Sequence, residues 1–233
     1  MVQENNYKIE NFDPEVLREY DIRGVVGENI NVNTAYTIGR TFGHTVKSKL
    51  TSHTIVTGYD GRLTSPSLHK ALCEGLKDSG VKVINIGMGP TPMTYFAHYH
   101  FEADAAVMLT GSHNPSEYNG FKMVFNKHSF FAEDIQSLQK LLDNNELELA
   151  NGQLIYKDIT KEYIERVLLN ISLNKKLKIA WDPGNGAMGK VTREISEKLI
   201  NSENFIINEE VDGNFPNHHP DPTVPKNMVQ LIS

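Results

Sequence analysis

Cysteine is almost missing from this chain, Cys73 being the only one in 233 residues. A single thiol excludes an internal disulfide and any thiolate metal cluster. Cys73 falls within the apolar helical pattern Leu68 to Leu76, where a buried, inert thiol is expected and not a nucleophile. Positive charge is also scarce. Lys and Arg number 23 against 29 Asp and Glu, a formal charge of −6, and the basic residues are interspersed among acids. That leaves no basic stripe for nucleic acid. No apolar run approaches a membrane-spanning length, and the start, Met1-Val-Gln-Glu-Asn-Asn-Tyr-Lys8, lacks the basic-then-apolar plan of a signal peptide. The default expectation is a cytoplasmic protein with no membrane and no nucleic-acid partner. Two motifs are missing as well. The Gly-rich turn after Trp181 lacks a P-loop Lys-Ser/Thr, and there is no Gly-x-Ser-x-Gly elbow, since Asn114 stands where the second Gly belongs. The last absence counts against a serine hydrolase built on Ser112.

What is present is enough apolar residue, 39%, for a packed core, in a length that suits one large domain or one and a half ordinary ones. The chain is organised around Val107-Met-Leu-Thr-Gly-Ser-His-Asn-Pro-Ser-Glu-Tyr-Asn-Gly-Phe-Lys122. An apolar run ends in a polar loop punctuated by Gly and Pro, and a second apolar run follows, which reads as strand, exposed loop, strand. Ser112 sits at the tip, with Gly111 permitting close approach and Pro115 stiffening the exit. On composition alone a plain connecting turn stays open, because Ser, Asn, Gly and Pro are ordinary turn residues.

Around that loop the pattern alternates. Pro14 to Arg18 suits a short helical turn, and Asn33 is expected to cap a helix running to Leu50 with Ala35, Ile38, Phe42 and Val46 on one face. Thr54–Thr57, a helix from Pro66 to Ser79 closed by Gly80, and Val81–Ile86 form a βαβ unit and so a parallel strand pair. A helix over 93–100, the central strand and loop, a strand over 121–125 and a helix over 132–142 complete the first unit. The polar stretch from Asn144 to Asp158 is expected to hold a boundary between domains at 1–153 and 154–233. Thr160 is then expected to cap a helix through Leu169. Lys178–Trp181, the turn Asp182-Pro-Gly-Asn-Gly-Ala187, a helix over 191–200 and a strand over 205–208 repeat the earlier plan weakly, and a helix is expected over 225–232. The fold class expected is α/β: a mixed, largely parallel sheet with flanking helices, repeated in a second, incomplete domain.

The pair Thr110-Gly-Ser-His-Asn-Pro115 and Tyr118-Asn-Gly-Phe-Lys122 resembles the phosphoserine loop of the α-D-phosphohexomutases, the phosphomannomutase/phosphoglucomutase family. It is more similar to the bacterial phosphomannomutase/phosphoglucomutase branch than to the glucosamine branch. Glu19-Tyr-Asp-Ile-Arg-Gly24, Asp182-Pro-Gly-Asn-Gly-Ala187 and Phe215-Pro-Asn-His-His-Pro-Asp-Pro222 resemble further family segments, the last an interdomain loop. His218, His219 and Asp221 are metal-ligand types, yet adjacent residues of an extended loop point apart, so that metal site is not expected.

The resemblance implies an isomerase, an intramolecular phosphotransferase, that exchanges hexose 1-phosphate and 6-phosphate through a hexose 1,6-bisphosphate. Ser112 would carry the phosphoryl group, and Arg23 and Lys122 would supply positive charge beside the reacting oxygen. His113 would steady the phosphate, assist proton transfer or simply bond within the loop. Tyr20, Arg62 and Asn114 are candidate substrate contacts, with Asn114 also shaping the turn. The family often has Arg where Tyr59 stands, which weakens any role for Tyr59. The family also implies Mg²⁺, held by an Asp-Gly-Asp-Gly-Asp-Arg loop that no run here matches, leaving Ser112 through its phosphate as the one metal ligand. An N-terminal portion is therefore expected, inactive by itself, with a complementary C-terminal portion as partner. The alternative is a non-catalytic phosphosugar- or partner-binding piece.

Overall fold

The structure, a computed structural model, describes residues 6–233. The first five residues of the start read for a leader, and of the domain placed at 1–153, lie outside it. β-branched and apolar residues build β2 (Thr54–Tyr59) and β3 (Lys82–Met88), joined by α2 (Ser65–Asp78), whose last turn gives way to Gly80 at φ +90°. The two strands pair in parallel from Thr54 opposite Lys82. From β3 the chain crosses through α3 (Thr91–His100) to β4 (Ala105–Leu109), which lies parallel to β2 on its other side. The direction of winding therefore reverses at the β2/β4 pair. Both strands release their loops at their carboxyl ends, where open α/β sheets bind ligands.

β5 (Tyr118–Phe125) returns antiparallel to β4, and β1 (Ile22–Val25) pairs antiparallel with β5. The full order is β1-β5-β4-β2-β3-β7, with the two-residue β6 (His128–Ser129) paired to β5. The edge strand β7 (Gln153–Tyr156), which was not expected, lies inside the polar stretch 144–158 and runs parallel to β3 from Lys82 opposite Gln153.

Helices cover both faces. On one, α1 (Val32–Lys49), α2 and α4 (Glu133–Asp143) bury Ile38, Phe42, Leu72, Leu76 and Ile135 against Ile55, Val83, Val107 and Phe121. Gly39 lets α1 and α2 touch backbone to backbone, because a Cβ there would lie 2.4 Å from the Leu72 carbonyl oxygen. On the other face, α3 packs with α5 (Thr160–Leu168) and α6 (Gly189–Lys198): Met93, Ala97, Tyr163, Ile164, Val191 and Ile195 meet Val56, Ile84 and Ala106. One apolar cluster thus contains residues from both sides of the expected boundary. β8 (Leu177–Trp181) and β9 (Ser202–Ile206) flank α6 as a separate parallel pair, and α7 (Val229–Ile232) ends the chain.

Two caps differ from expectation. Asn31, not Asn33, caps α1: its Oδ1 accepts from the Asn33 and Thr34 amides at 2.6 and 3.2 Å, and Thr34 Oγ1 accepts from the Asn31 amide at 3.1 Å. Thr160 is the first residue of α5, and Asp158 Oδ1 takes its amide at 2.9 Å. β9 also sits three residues earlier than its expected start at Phe205.

Candidate active site

The loop after β4 is locked by an acid from the loop after β2. Asp60 Oδ2 accepts from Thr110 Oγ1 at 2.8 Å and from the Gly111 amide at 3.1 Å, while its Oδ1 accepts from Ser65 Oγ at 2.6 Å and from the Arg62 amide at 3.1 Å. Thr110 Oγ1 in turn accepts from the Ser112 amide at 2.9 Å. Asn114 closes the turn, its amide and Nδ2 both donating to the Gly111 carbonyl, at 3.1 and 2.7 Å. Ser112 is thereby held at φ +55°, a conformation costing a non-glycine residue about 1–2 kcal/mol, with its side chain exposed.

Arg62 lies beneath this loop, 1% exposed. Its five N–H groups are all used: Nε donates to Asp60 Oδ2, and the other four go to the carbonyls of Ser112, Asn114, Pro115 and Tyr118. The Phe215 ring covers the guanidinium, 5.2 Å from Cζ to centroid. As a candidate substrate contact Arg62 is therefore corrected to a loop support, since none of its donors faces outward. Gly111 permits the approach of this arginine: a Cβ there would stand 2.4 Å from Arg62 Cζ.

Arg23 and Lys122 share a second acid. Asp21, just ahead of β1 and 5% exposed, accepts through one oxygen, Oδ2, from Arg23 and from Lys122 Nζ, the latter at 2.9 Å. The register explains the meeting. Arg23 stands opposite Gly120 and Lys122 opposite Met108, which puts both cations on the sheet face carrying Met108. Met108 also lines a cleft of about 190 Å³ with Ser112, Thr110, Asp60, Ala187 and Phe215. Tyr20 and Lys122 line another cleft, and His113 is exposed near Asp221, whose carboxyl is held below the usual carboxylate range chiefly by the hydrogen bonds from Thr223. Sequence reasoning missed Asp21 and Asp60. For Asp21 the signal was available, because a residue two before Arg23 in extended chain shares its side.

Other candidates fall elsewhere. Cys73 is buried, its thiol pushed up to about 12 by burial. His218 Nε2 lies 2.8 Å from Asp182 Oδ2 and its Nδ1 3.0 Å from the His219 carbonyl, while Asp221 Oδ1 takes both the amide and the hydroxyl of Thr223. Among the described residues no three His, Cys, Asp or Glu gather as a metal-ligand group. A magnesium ion does not fit the present donors: Asp60 already accepts five hydrogen bonds and Asp21 Oδ2 two cations, leaving Ser112 Oγ alone.

The family model described as phosphoglucomutase/phosphomannomutase, alpha/beta/alpha domain I, matches residues 14–148, and the model for domain II matches residues 161–233. The chain belongs to the phosphoglucomutase/phosphomannomutase family. It is 44% identical over 218 residues to a phosphomannomutase/phosphoglucomutase of Pseudomonas putida, covering 94% of this chain and 47% of that protein. It is 40% identical over 225 residues to a phosphoglucomutase of Neisseria meningitidis, covering 96% and 48%. A crystal structure of a family protein from Burkholderia thailandensis superposes with a TM-score of 0.88 at 37% identity, over 95% of this chain and 50% of that one. The chain spans about half the length of the curated relatives it matches. Among the described residues no helix is long and apolar enough to cross a membrane.

Proposed function

We infer that Ser112 is the phosphoryl carrier of a phosphohexomutase, an isomerase exchanging hexose 1-phosphate and 6-phosphate. One observation carries the reading: the loop spends Asp60, Thr110, Asn114 and all of Arg62 on its own backbone and leaves the Ser112 hydroxyl pointing out at the carboxyl ends of β2 and β4. In the first half-reaction a sugar hydroxyl forms a P–O bond as the P–Oγ bond of phospho-Ser112 breaks, and the hydroxyl proton ends on the released Ser112 Oγ. In the second, Ser112 Oγ forms a P–O bond to the phosphoryl group at the other end of the hexose 1,6-bisphosphate as that group's bond to the sugar oxygen breaks, and the serine proton ends on the freed sugar oxygen. Such a transfer rests on positioning and on cations near the spread negative charge, which Arg23 and Lys122 supply. Asp21 holds both in register.

Mannose is the favoured substrate, with glucose as the second, and the two-domain organisation belongs to the same proposal. Its boundary moves past β7 to about residues 157–159, since a cut at 153 would strip an edge strand from the sheet.

Among the described residues no group of metal-ligating carboxylates gathers, which favours a binding role as the second reading for the 233 residues alone. The test is turnover of mannose 1-phosphate with Mg²⁺ and bisphosphate activator, run on residues 1–233 and on a protein extended to the relatives' length. The extended protein is expected to turn over and to lose that on Ser112→Ala, and the 233-residue chain is expected to give no turnover. Normal turnover by the short chain, abolished by Ser112→Ala, would show that further ligands are dispensable; no turnover by the extended protein would sink the mutase reading.

A further inference from the structure

Residues 210–218 form a strap that is fastened to the turn after β8 and pressed on the loop after β2. The fastening runs through Asn185 and Asp182. Asn185 Nδ2 donates to the Glu210 carbonyl at 2.9 Å, its carbonyl accepts from the Asp212 amide at 3.0 Å, and His218 Nε2 lies 2.8 Å from Asp182 Oδ2. Between those anchors the strap meets the turn that carries Arg62. A Cβ on Gly213 would lie 2.5 Å from the Leu63 amide nitrogen, and one on Gly61 would lie 2.4 Å from Val211 Cγ1, so each glycine admits a contact that a side chain would block. The strap turns at Asp212, whose Oδ1 accepts from the Asn214 amide at 2.9 Å and whose carbonyl accepts from the Phe215 amide at 3.0 Å. Phe215 leaves that turn at φ +52°, a left-handed conformation that an aromatic residue adopts only at a cost. With the backbone so placed, the ring sits over Arg62, 5.2 Å from Cζ to centroid. Cation–π attraction is strongest for a desolvated guanidinium, and this one is buried. The ring therefore closes one face of the group on which the carbonyls of Ser112, Asn114, Pro115 and Tyr118 rest.

We propose that Phe215 is a positioning residue for phosphoryl transfer: stacked on Arg62, it holds the Ser112 loop in the geometry of transfer, so that a strap anchored after β8 sets the alignment of a serine that follows β4. The role rests on the phosphohexomutase reading. Transfer from a carrier oxygen depends on alignment more than on covalent help from the protein, so a loosened loop loses rate before it loses ligand. Phe215 also lines the Ser112 cleft, and a direct contact with ligand predicts the opposite, a loss of binding at unchanged rate.

Amide hydrogen exchange in residues 1–233 reads the clamp without any turnover. Phe215→Leu, which keeps bulk and removes the π face, is expected to speed exchange of the Gly111, Ser112 and Asn114 amides about tenfold, and Phe215→Tyr to restore the wild-type rates. The strand amides of Ile55 and Val107 are the internal standard, and the reading is the excess of loop over strand exchange, so a general loss of stability cancels. In the protein extended to the relatives' length, Phe215→Leu should lower kcat for mannose 1-phosphate about tenfold while KM stays within about twofold, and Phe215→Tyr should recover kcat. No excess loop exchange in Phe215→Leu would overturn the proposal. So would a tyrosine variant no better than the leucine one, or a raised KM at unchanged kcat. No turnover by the extended wild type would sink the mutase reading, and the exchange rates would still decide whether Phe215 holds the loop.

Discussion

After β4 the chain turns through Thr110-Gly-Ser-His-Asn114, and after β8 through Asp182-Pro-Gly-Asn-Gly186, and the two turns are built alike. Each contains a left-handed non-glycine residue, Ser112 at φ +55° and Asn185 at φ +57°. Each is pinned by an aspartate, Asp60 for the first and, for the second, Asp182, whose Oδ1 accepts from the Gly184 amide at 2.9 Å. They differ in where the strained residue points. Ser112 is exposed, whereas Asn185 is 5% exposed and its side chain is used up, Nδ2 donating to the Glu210 carbonyl and Oδ1 accepting from Asn217 Nδ2, both at 2.9 Å. One backbone device therefore leaves a hydroxyl exposed in one place and fastens a loop in the other. Chemistry follows the side chain that is left over.

The strongest way to break the comparison is to remove the support under the first turn. Arg62→Met would leave four loop carbonyls without their donor and Asp60 without its cation, and loss of one partner from a buried ionic cluster costs about 3–5 kcal/mol. Urea denaturation should show that loss. A change below about 1 kcal/mol would mean that the loop stands without Arg62.

Acid should separate the two regions by sign. His69, packed under Tyr59 in the first unit, is pushed down to about 4 by burial, so the unfolded chain takes its proton first. Stability is then lost as pH falls from 6.5 toward 4, by about 3 kcal/mol, and His69→Gln should flatten that slope. His218 behaves oppositely. Burial lowers it, but the His219 carbonyl and Asp182 outweigh burial and raise it above 6.5. Its contribution is complete below 6.5 and disappears as pH rises through the raised value, a loss of about 1 kcal/mol or less at this partly open pair. Opposite slopes for the two histidine variants sharpen the comparison; equal slopes would undo it.

Single truncations at the two strained positions come next. Asn185→Ala removes two part-buried hydrogen bonds, to the Glu210 carbonyl and from the Asn217 amide, for about 1–3 kcal/mol. Ser112→Ala removes an exposed hydroxyl and should change stability by less than about 0.5 kcal/mol. Thermal melts of the two variants side by side check both. Similar losses would mean that the Ser112 side chain is also structural.

Much of this was legible in residue order. Alternation and β-branching located β2, β3, β4 and β8, and Gly80 marked the end of α2, because these signals are local. β7 was hidden: Gln153-Leu-Ile-Tyr156 has only two apolar neighbours after Asn151-Gly152, and what makes it a strand is the free edge of β3. The helix cap went to Asn33 because Asn31 and Asn33 are equal in propensity, and only the capping box with Thr34 decides between them. Ser112, Lys122 and Arg23 were singled out as candidates from their motifs. Arg62 was misplaced because nothing local tells a cation facing solvent from one facing four carbonyls that lie 50 or more residues away.

The central claim is that the first turn exists to present the Ser112 hydroxyl for phosphoryl transfer. Incubating residues 1–233 with a hexose 1,6-bisphosphate, with the remaining portion of a relative-length protein supplied in trans, and then measuring intact mass and mapping peptides tests it directly. One added phosphate on the peptide carrying Ser112, absent in Ser112→Ala, is the predicted result. A phosphate on any other residue, or none on Ser112, would contradict the account.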